Sequence, residues 1–344
     1  MIIVMVLVFA VSALATHRLA RAGSRRWLLD HPNARSLHQR PTPRSGGLAI
    51  TLGILLGGIG TALLTSVSDQ LFWLGIGSLI IVTVSFRDDL SHLHPAIRIS
   101  VHFLVALMLV FAGFTIDAVV LPGLQWRIFP WLATVVTCLY VAWLINLYNF
   151  MDGMDGFAGG MAVFGFGTFA VLGALGGQAV FAGLSGVIAA AAGGYLLFNF
   201  PPARIFMGDA GSSLLGFLAA GLSLWASVEE IFPLWIAVLV FSPFIVDATV
   251  TLGRRLWRRE RVWEAHKSHC YQRLVELGWG HRKTVLWEYL LMLLCSVSAV
   301  VALYVGPTGQ WWLLTSWIVV YVILIALVNR LEARVRSHET VESL

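Results

Sequence analysis

The sequence predicts an all-α, polytopic integral membrane protein of about eleven transmembrane helices, N-terminus outside and C-terminus inside. Three observations carry this. Of its 344 residues 58% are hydrophobic and 12% charged, whereas a soluble domain carries about 25% charged residues. The apolar residues fall in runs at 1–15, 48–64, 71–86, 99–114, 130–147, 157–175, 180–198, 212–226, 231–252, 285–305 and 311–329, several near the short limit for crossing a bilayer. With the N-terminus outside, the inside segments are 16–46, 87–98, 148–156, 199–211, 253–284 and 330–344, and they hold all of the 23 Lys and Arg except Arg127. That asymmetry orients membrane proteins.

The first run has no Lys or Arg before it and its positive charge follows it. This is the reverse of a secretory signal peptide, so it reads as an uncleaved span. The net charge of +5 belongs to the inside loops and is not a nucleic-acid signal. Cys138 and Cys295 lie in apolar runs and Cys270 in a basic loop, with neither a disulfide framework nor zinc spacing. No internal repeat or soluble domain is visible. The chain reads as a single transmembrane domain, 1–344, whose chemistry sits in inside loops near 30–47, 87–98, 146–160, 199–212 and 253–284.

The loop 30–47 enters the second run through Pro41-Thr-Pro-Arg-Ser-Gly-Gly47, an ordered, extended turn. Its Arg35, Arg40 and Arg44 attract phosphate or simply mark the inner side. Arg87-Asp88-Asp89 ends the third run at the inner surface. Adjacent carboxylates repel, so the pair calls for a cation, a metal or a shared proton; a solvated helix end is the plainer reading.

The densest stretch is Asn146-Leu-Tyr-Asn-Phe-Met-Asp-Gly-Met-Asp-Gly156. Asn146/Asn149 and Asp152/Asp155 are each three apart, which on a helical turn shares a face. Carboxylates between apolar runs are costly and point to function. In Phe206-Met-Gly-Asp-Ala-Gly-Ser212, Asp209 sits between glycines where an apolar run begins. It fits a helix N-cap and equally a hard oxygen ligand for Mg²⁺ beside a phosphate-attracting helix end. Phe206 offers a flat face for a base.

The loop 253–284 carries Arg254, Arg255, Arg258, Arg259 and Arg261 with Trp257, Trp263 and Trp279 interleaved, a pattern suited to an anionic leaflet. Within it, His266, Lys267 and His269 can all donate to a diphosphate. Two histidines three apart suit zinc as well, but nothing is spaced to complete that site.

Taken together, these motifs resemble the polyprenyl-phosphate N-acetylhexosamine-1-phosphate transferases, over about residues 30–285 and in that family's order. The Asn/Asp/Gly and Phe-Met-Gly-Asp motifs are specific; the paired Asp alone is not. The resemblance implies transfer of a HexNAc-1-phosphate from a UDP-N-acetylhexosamine to undecaprenyl phosphate, with release of UMP, on the cytoplasmic face of a bacterial inner membrane. It implies Mg²⁺, with Mn²⁺ able to substitute, held by Asp209 and Asn149. It assigns Asp88, Asp89, Asp152, His266 and His269 to the reacting centre. Asn199, Phe206 and Asp155 go to the uracil end of the donor, and Lys267 and Arg98 to substrate binding. The expected partners are the two substrates and membrane lipids, with no nucleic acid and room for a homodimer. Two departures, His92 three residues after Asp89 and a thinned cluster His266-Lys-Ser-His269, are similar to the branch that starts O-antigen and related surface chains. A cation- or proton-coupled transporter is the main alternative, with Asp247 its best residue, but the acids gather in inner loops. A CDP-alcohol phosphotransferase would continue its Asp-Gly motif differently after Gly156.

Overall fold

The computed structural model describes residues 1–21, 29–32, 37, 40–65, 68–91, 93–260 and 266–342. Arg35, His92, Arg261 and Trp263 lie outside them.

All eleven apolar runs fold as helices. They are α1 (Ile2–Arg21), α2 (Gly46–Leu64), α3 (Asp69–Ser91), α4 (Pro95–Phe111), α5 (Pro130–Phe150), α6 (Phe157–Leu175), α7 (Ala179–Asn199) and α8 (Asp209–Val228). Next come α9 (Leu234–Val240), α10 (Ser242–Trp257) and the short α11 (Cys270–Leu274), then α12 (Gly280–Val301) and α13 (Pro307–Glu342). Among the described residues nine helical stretches are long and apolar enough to cross a membrane. Two runs depart from the simple expectation of eleven full spans. The fourth helix, α4, has only 17 residues. The run 231–252 is not one rod: α9 and α10 meet at 81°. Pro243 at the start of α10 has no N–H to give and a fixed φ, so it begins a helix more readily than it continues one.

Two small antiparallel pairings complete the chain. In one, β1 (Leu29–Asp30) pairs with β2 (Thr42–Pro43). In the other, β3 (Ala118–Leu121) pairs with β4 (Leu124–Arg127), Leu121 opposite Leu124.

The core is built around α8, whose residues from Ala210 to Ala226 are all buried. Without a hydrophobic drive between helices in lipid, association depends on close packing, and small residues permit it. A Cβ on Gly216 would lie 2.7 Å from the Leu144 carbonyl of α5, and one on Gly77 of α3 would lie 2.2 Å from the Phe217 ring. On the far side, Ser12 of α1 donates to the Ala191 carbonyl of α7 at 2.7 Å. Rings of Phe166, Phe169, Phe181, Phe232 and Phe241 fill the space among α6, α7 and α9. The C-terminal ends of α3, α5 and α7 and the N-terminal ends of α2, α6 and α8 thereby meet at one end of the bundle.

Candidate active site

Asp89 and the start of α8 form the base of the site. The first N–H groups of a helix have no partner within it and carry partial positive charge. Asp89, 4% exposed, accepts the Asp209 N–H on Oδ1 at 3.1 Å and the Ala210 N–H on Oδ2 at 3.0 Å. Arg44 donates to the Asp89 backbone carbonyl. Gly208 makes the turn into α8 at φ 75°, and a Cβ there would lie 2.6 Å from the Arg44 carbonyl. Both Asp89 oxygens hold backbone, so the side chain positions α8, whereas the resemblance assigns it to the reacting centre.

The loops 41–47 and 205–211 interlock. Phe206 N–H donates to Pro43 O at 2.7 Å, Gly46 N–H to Phe206 O at 2.9 Å and Gly47 N–H to Met207 O at 2.7 Å. A Cβ on Gly47 would lie 2.4 Å from the Gly211 nitrogen; only two facing glycines let α2 and α8 start this close. The motif around Pro41 thus reaches the site as scaffold for Phe206 and Asp209.

Above this base, Arg98 of α4 lies 2.9 Å from Asp88 Oδ2 and 3.5 Å from Asp209 Oδ2. Asn149, at the end of α5, donates to Asp209 Oδ1 at 2.9 Å and to Ser212 Oγ at 3.0 Å. Its own Oδ1 is 3.5 Å from Arg98 Nη2. Asp88 also accepts the Leu93 N–H at 2.6 Å. Asn146, a turn before Asn149, turns instead to buried His102 at 3.0 Å. The structure therefore joins Asp88, Arg98, Asn149, Asp209 and Ser212.

The turn 151–156 brings two more acids. Among the described residues Asp152 accepts no hydrogen bond, whereas Asp88 meets Arg98 and the Leu93 N–H and Asp89 accepts two backbone N–H groups. Burial, with the negative fields of Asp209, Asp89 and Asp155, holds its carboxyl well above the usual carboxylate range. Asp155 accepts the Ala203 N–H at 3.0 Å and lies 3.2 Å from His281 Nδ1. Around it is a cavity of about 520 Å³ lined by Leu37, Arg40, Thr42, Asp155, Pro201, Pro202, Ala203, Phe206, His281 and Arg282. Phe206 and Asp155 face one pocket, with three basic side chains beside them. Asn199 does not join them. It is 3% exposed, accepts the Gly156 N–H at 2.9 Å and donates to Ile205 O at 2.9 Å. Both polar ends tie one loop to another, whereas the resemblance assigns this amide to the uracil end of the donor.

The histidine loop also differs from expectation. His269 is 4% exposed, stacks on Tyr271 at 5.7 Å between ring centres and lies 3.5 Å from Asp247 Oδ1. Asp247 in turn accepts the Cys270 and Tyr271 N–H groups at 2.8 and 3.2 Å, which accounts for this acid without transport. His269 is thus buried between Asp247 and Tyr271, whereas the resemblance places it among the reacting groups. His266, half-buried, pairs with Ser268 Oγ at 2.8 Å, and Lys267 lies 3.6 Å from Glu276 at the surface. The loop reaches the acids through Tyr271, whose hydroxyl would lie 2.4 Å from a Cβ on Gly153.

With this geometry in view, comparison with known proteins is decisive. Over 276 residues, 79% of this chain and 76% of the relative, the chain is 33% identical to a probable undecaprenyl-phosphate N-acetylglucosaminyl 1-phosphate transferase of Bacillus subtilis. The model of glycosyl transferase family 4 matches residues 71–227. The chain belongs to glycosyl transferase family 4. It is also 28% identical, over 78% of its length and 85% of the relative's, to a phospho-N-acetylmuramoyl-pentapeptide-transferase of Shouchella clausii. To an undecaprenyl-phosphate alpha-N-acetylglucosaminyl 1-phosphate transferase of Yersinia pestis it is 25% identical, over 86% and 82%.

The segment matched by the family 4 model holds Asp88, Asp89, Arg98, Asn149, Asp152, Asp155, Asn199, Phe206 and Asp209. The loop 41–47 and the histidine loop fall outside it. A divalent cation suits the donor set. Asp88 and Asp209 share one guanidinium, Arg98, while the negative fields of Asp209, Asp89 and Asp155 all reach Asp152, and Arg44 is directed to a carbonyl. Among the described residues no three His, Cys, Asp or Glu side chains form a ready ligand cage. That is compatible with Mg²⁺, which is usually held by one or two carboxylates plus substrate phosphates and water. Sequence reasoning passed over His281, Arg282 and Ser212. The run Gly280-His-Arg-Lys-Thr284, basic residues just before an apolar run, was the available signal for the first two.

Proposed function

We propose that this family 4 protein transfers N-acetylglucosamine-1-phosphate from UDP-N-acetylglucosamine to undecaprenyl phosphate, with Mg²⁺, at the cytoplasmic face of the inner membrane. A lipid-phosphate oxygen attacks the phosphorus bonded to the sugar, and the bond from that phosphorus to the bridging oxygen breaks, so UMP leaves with the oxygen. One observation carries the reading: the carboxylate Asp209, held by Asn149 and Arg98 at the mouth of α8, adjoins an aromatic and basic pocket around Phe206 and Asp155. The sugar and lipid follow the names of the relatives; the orientation follows the distribution of Lys and Arg.

Asp209, with Asn149 beside it, would hold Mg²⁺, which when bound neutralises diphosphate charge. Arg98 neutralises the transferred phosphate from the other side. Arg40, His281 and Arg282 receive the nucleotide phosphates, and Phe206 stacks on the base. A phosphate monoester has its second pKa near 6 and is largely ionised at neutral pH, so little proton transfer is required. We assign the reaction to the start of an O-antigen-type surface chain because of the thinned histidine cluster.

The test is a membrane assay with undecaprenyl phosphate and a panel of UDP-N-acetylhexosamines, following UMP and lipid product. Donor-dependent UMP release that needs the lipid supports the proposal. No release with any donor, from protein that binds UDP, refutes it.

A further inference from the structure

The far side of Arg282 faces a different surface. Trp279, Arg282, Lys283, Leu286, Trp287 and Leu290 line a groove of about 540 Å³ along the outside of α12. The spacing from 282 to 290 keeps these side chains on one helical face. Its lower part is apolar and uncovered: Leu286, Trp287 and Leu290 are 49%, 57% and 44% exposed. Its upper end is basic. Lys283 Nζ lies 4.1 Å above the Trp279 ring, and neither Arg282 nor Lys283 forms an ion pair with a described residue. A protein partner would have to bring both an apolar ridge and a compensating acid. One membrane component brings both in the right order: acyl chains below, a negatively charged phosphate above.

We propose that this groove is a binding site for an anionic phospholipid, its phosphate between Arg282 and Lys283 and its chain along Leu286, Trp287 and Leu290. Indole rings settle at the headgroup level, and the two here bracket the cations. Each basic residue near an anionic membrane surface contributes about fivefold in lipid affinity. The site does not depend on the transfer reaction. Arg282 also lines the pocket around Phe206, so the test rests on Lys283 and Trp287, which do not.

The full chain is reconstituted in nanodiscs of phosphatidylcholine with phosphatidylglycerol, and retained lipids are counted by native mass spectrometry. Phosphatidylglycerol should be retained over phosphatidylcholine, and Lys283→Gln should weaken its retention about fivefold. Trp287→Ala should weaken retention of both lipids. Melting curves of both variants matching the unmodified protein show that the change is local. Equal retention of the two lipids, or an unchanged preference in Lys283→Gln, overturns the proposal. So does stoichiometric displacement of phosphatidylglycerol by undecaprenyl phosphate, which would make the groove an acceptor site. UMP release enters none of these readouts, so failure here and failure of the transferase reading are separable.

Discussion

Asp89→Asn separates a scaffold acid from a reacting one. In the structure, the two Asp89 oxygens accept two N–H groups of α8 at 3.1 and 3.0 Å, and the side chain is almost fully buried. A hydrogen bond to a charged group contributes about 1.5–3 kcal/mol, and a buried N–H left unpaired costs about 1–3 kcal/mol. Asparagine has one acceptor oxygen. Its NH₂ would face the second N–H, donor against donor, and the charge opposing the helix dipole disappears. The summed loss is about 2.5–6 kcal/mol, and it falls on the turn carrying Asp209. The assay is thermal unfolding in detergent beside UMP release. Melting temperature and turnover should fall together in Asp89→Asn. If melting matches the unmodified protein while turnover is lost, Asp89 belongs to the reacting centre and the scaffold argument fails.

Four further outcomes follow from the same geometry. Asp209→Asn should abolish transfer in protein that remains folded in the membrane, because the amide loses charge but not size; near-normal turnover at saturating Mg²⁺ would count against Asp209 as a ligand. Phe206→Ala should raise the KM for the UDP-sugar by about ten- to a hundredfold, the equivalent of one stacked base, and an unchanged KM refutes the pocket. His269→Ala should lower the melting temperature by taking the ring from between Asp247 and Tyr271, whereas His266→Ala should not; equal effects would undo that distinction. For Asp152, the native carboxyl keeps its proton above about 3.9, where the unfolded one releases it. Metal-free protein should therefore lose stability as pH rises from that value through the native pKa. Asp152→Asn should flatten this slope between acid and neutral pH, and an unaltered slope would place the titration elsewhere.

What could be read from the sequence was local. The place of Asp209 at the start of α8 was legible because an acid between glycines opens an apolar run there. The gathering of loops was legible because nearly every positive charge falls in alternate segments. The role of Asn199 was not: an amide at a helix end serves a ligand or a loop equally well, and only the fold puts the Gly156 N–H and Ile205 carbonyl on either side of it. His269 is a similar case, since its partner Asp247 lies 22 positions earlier (269 − 247), across the loop. The bend between α9 and α10 had a signal in Ser242-Pro243, but a hydropathy run passes over one proline.

The facing glycines 47 and 211 have a consequence for how this protein can diversify. A methyl group on either would drive backbone against backbone, moving Phe206 and Asp209 at once. Nucleotide recognition and phosphate chemistry are therefore mechanically one part, tolerant of change only as a unit. A new sugar preference cannot be acquired by reshaping that seam without loosening the reaction. It has to arise on surfaces that can vary without transmitting force to α8, and His266 and Lys267, which lie beyond the Tyr271 and Gln272 side chains that reach Gly153, sit on such a surface.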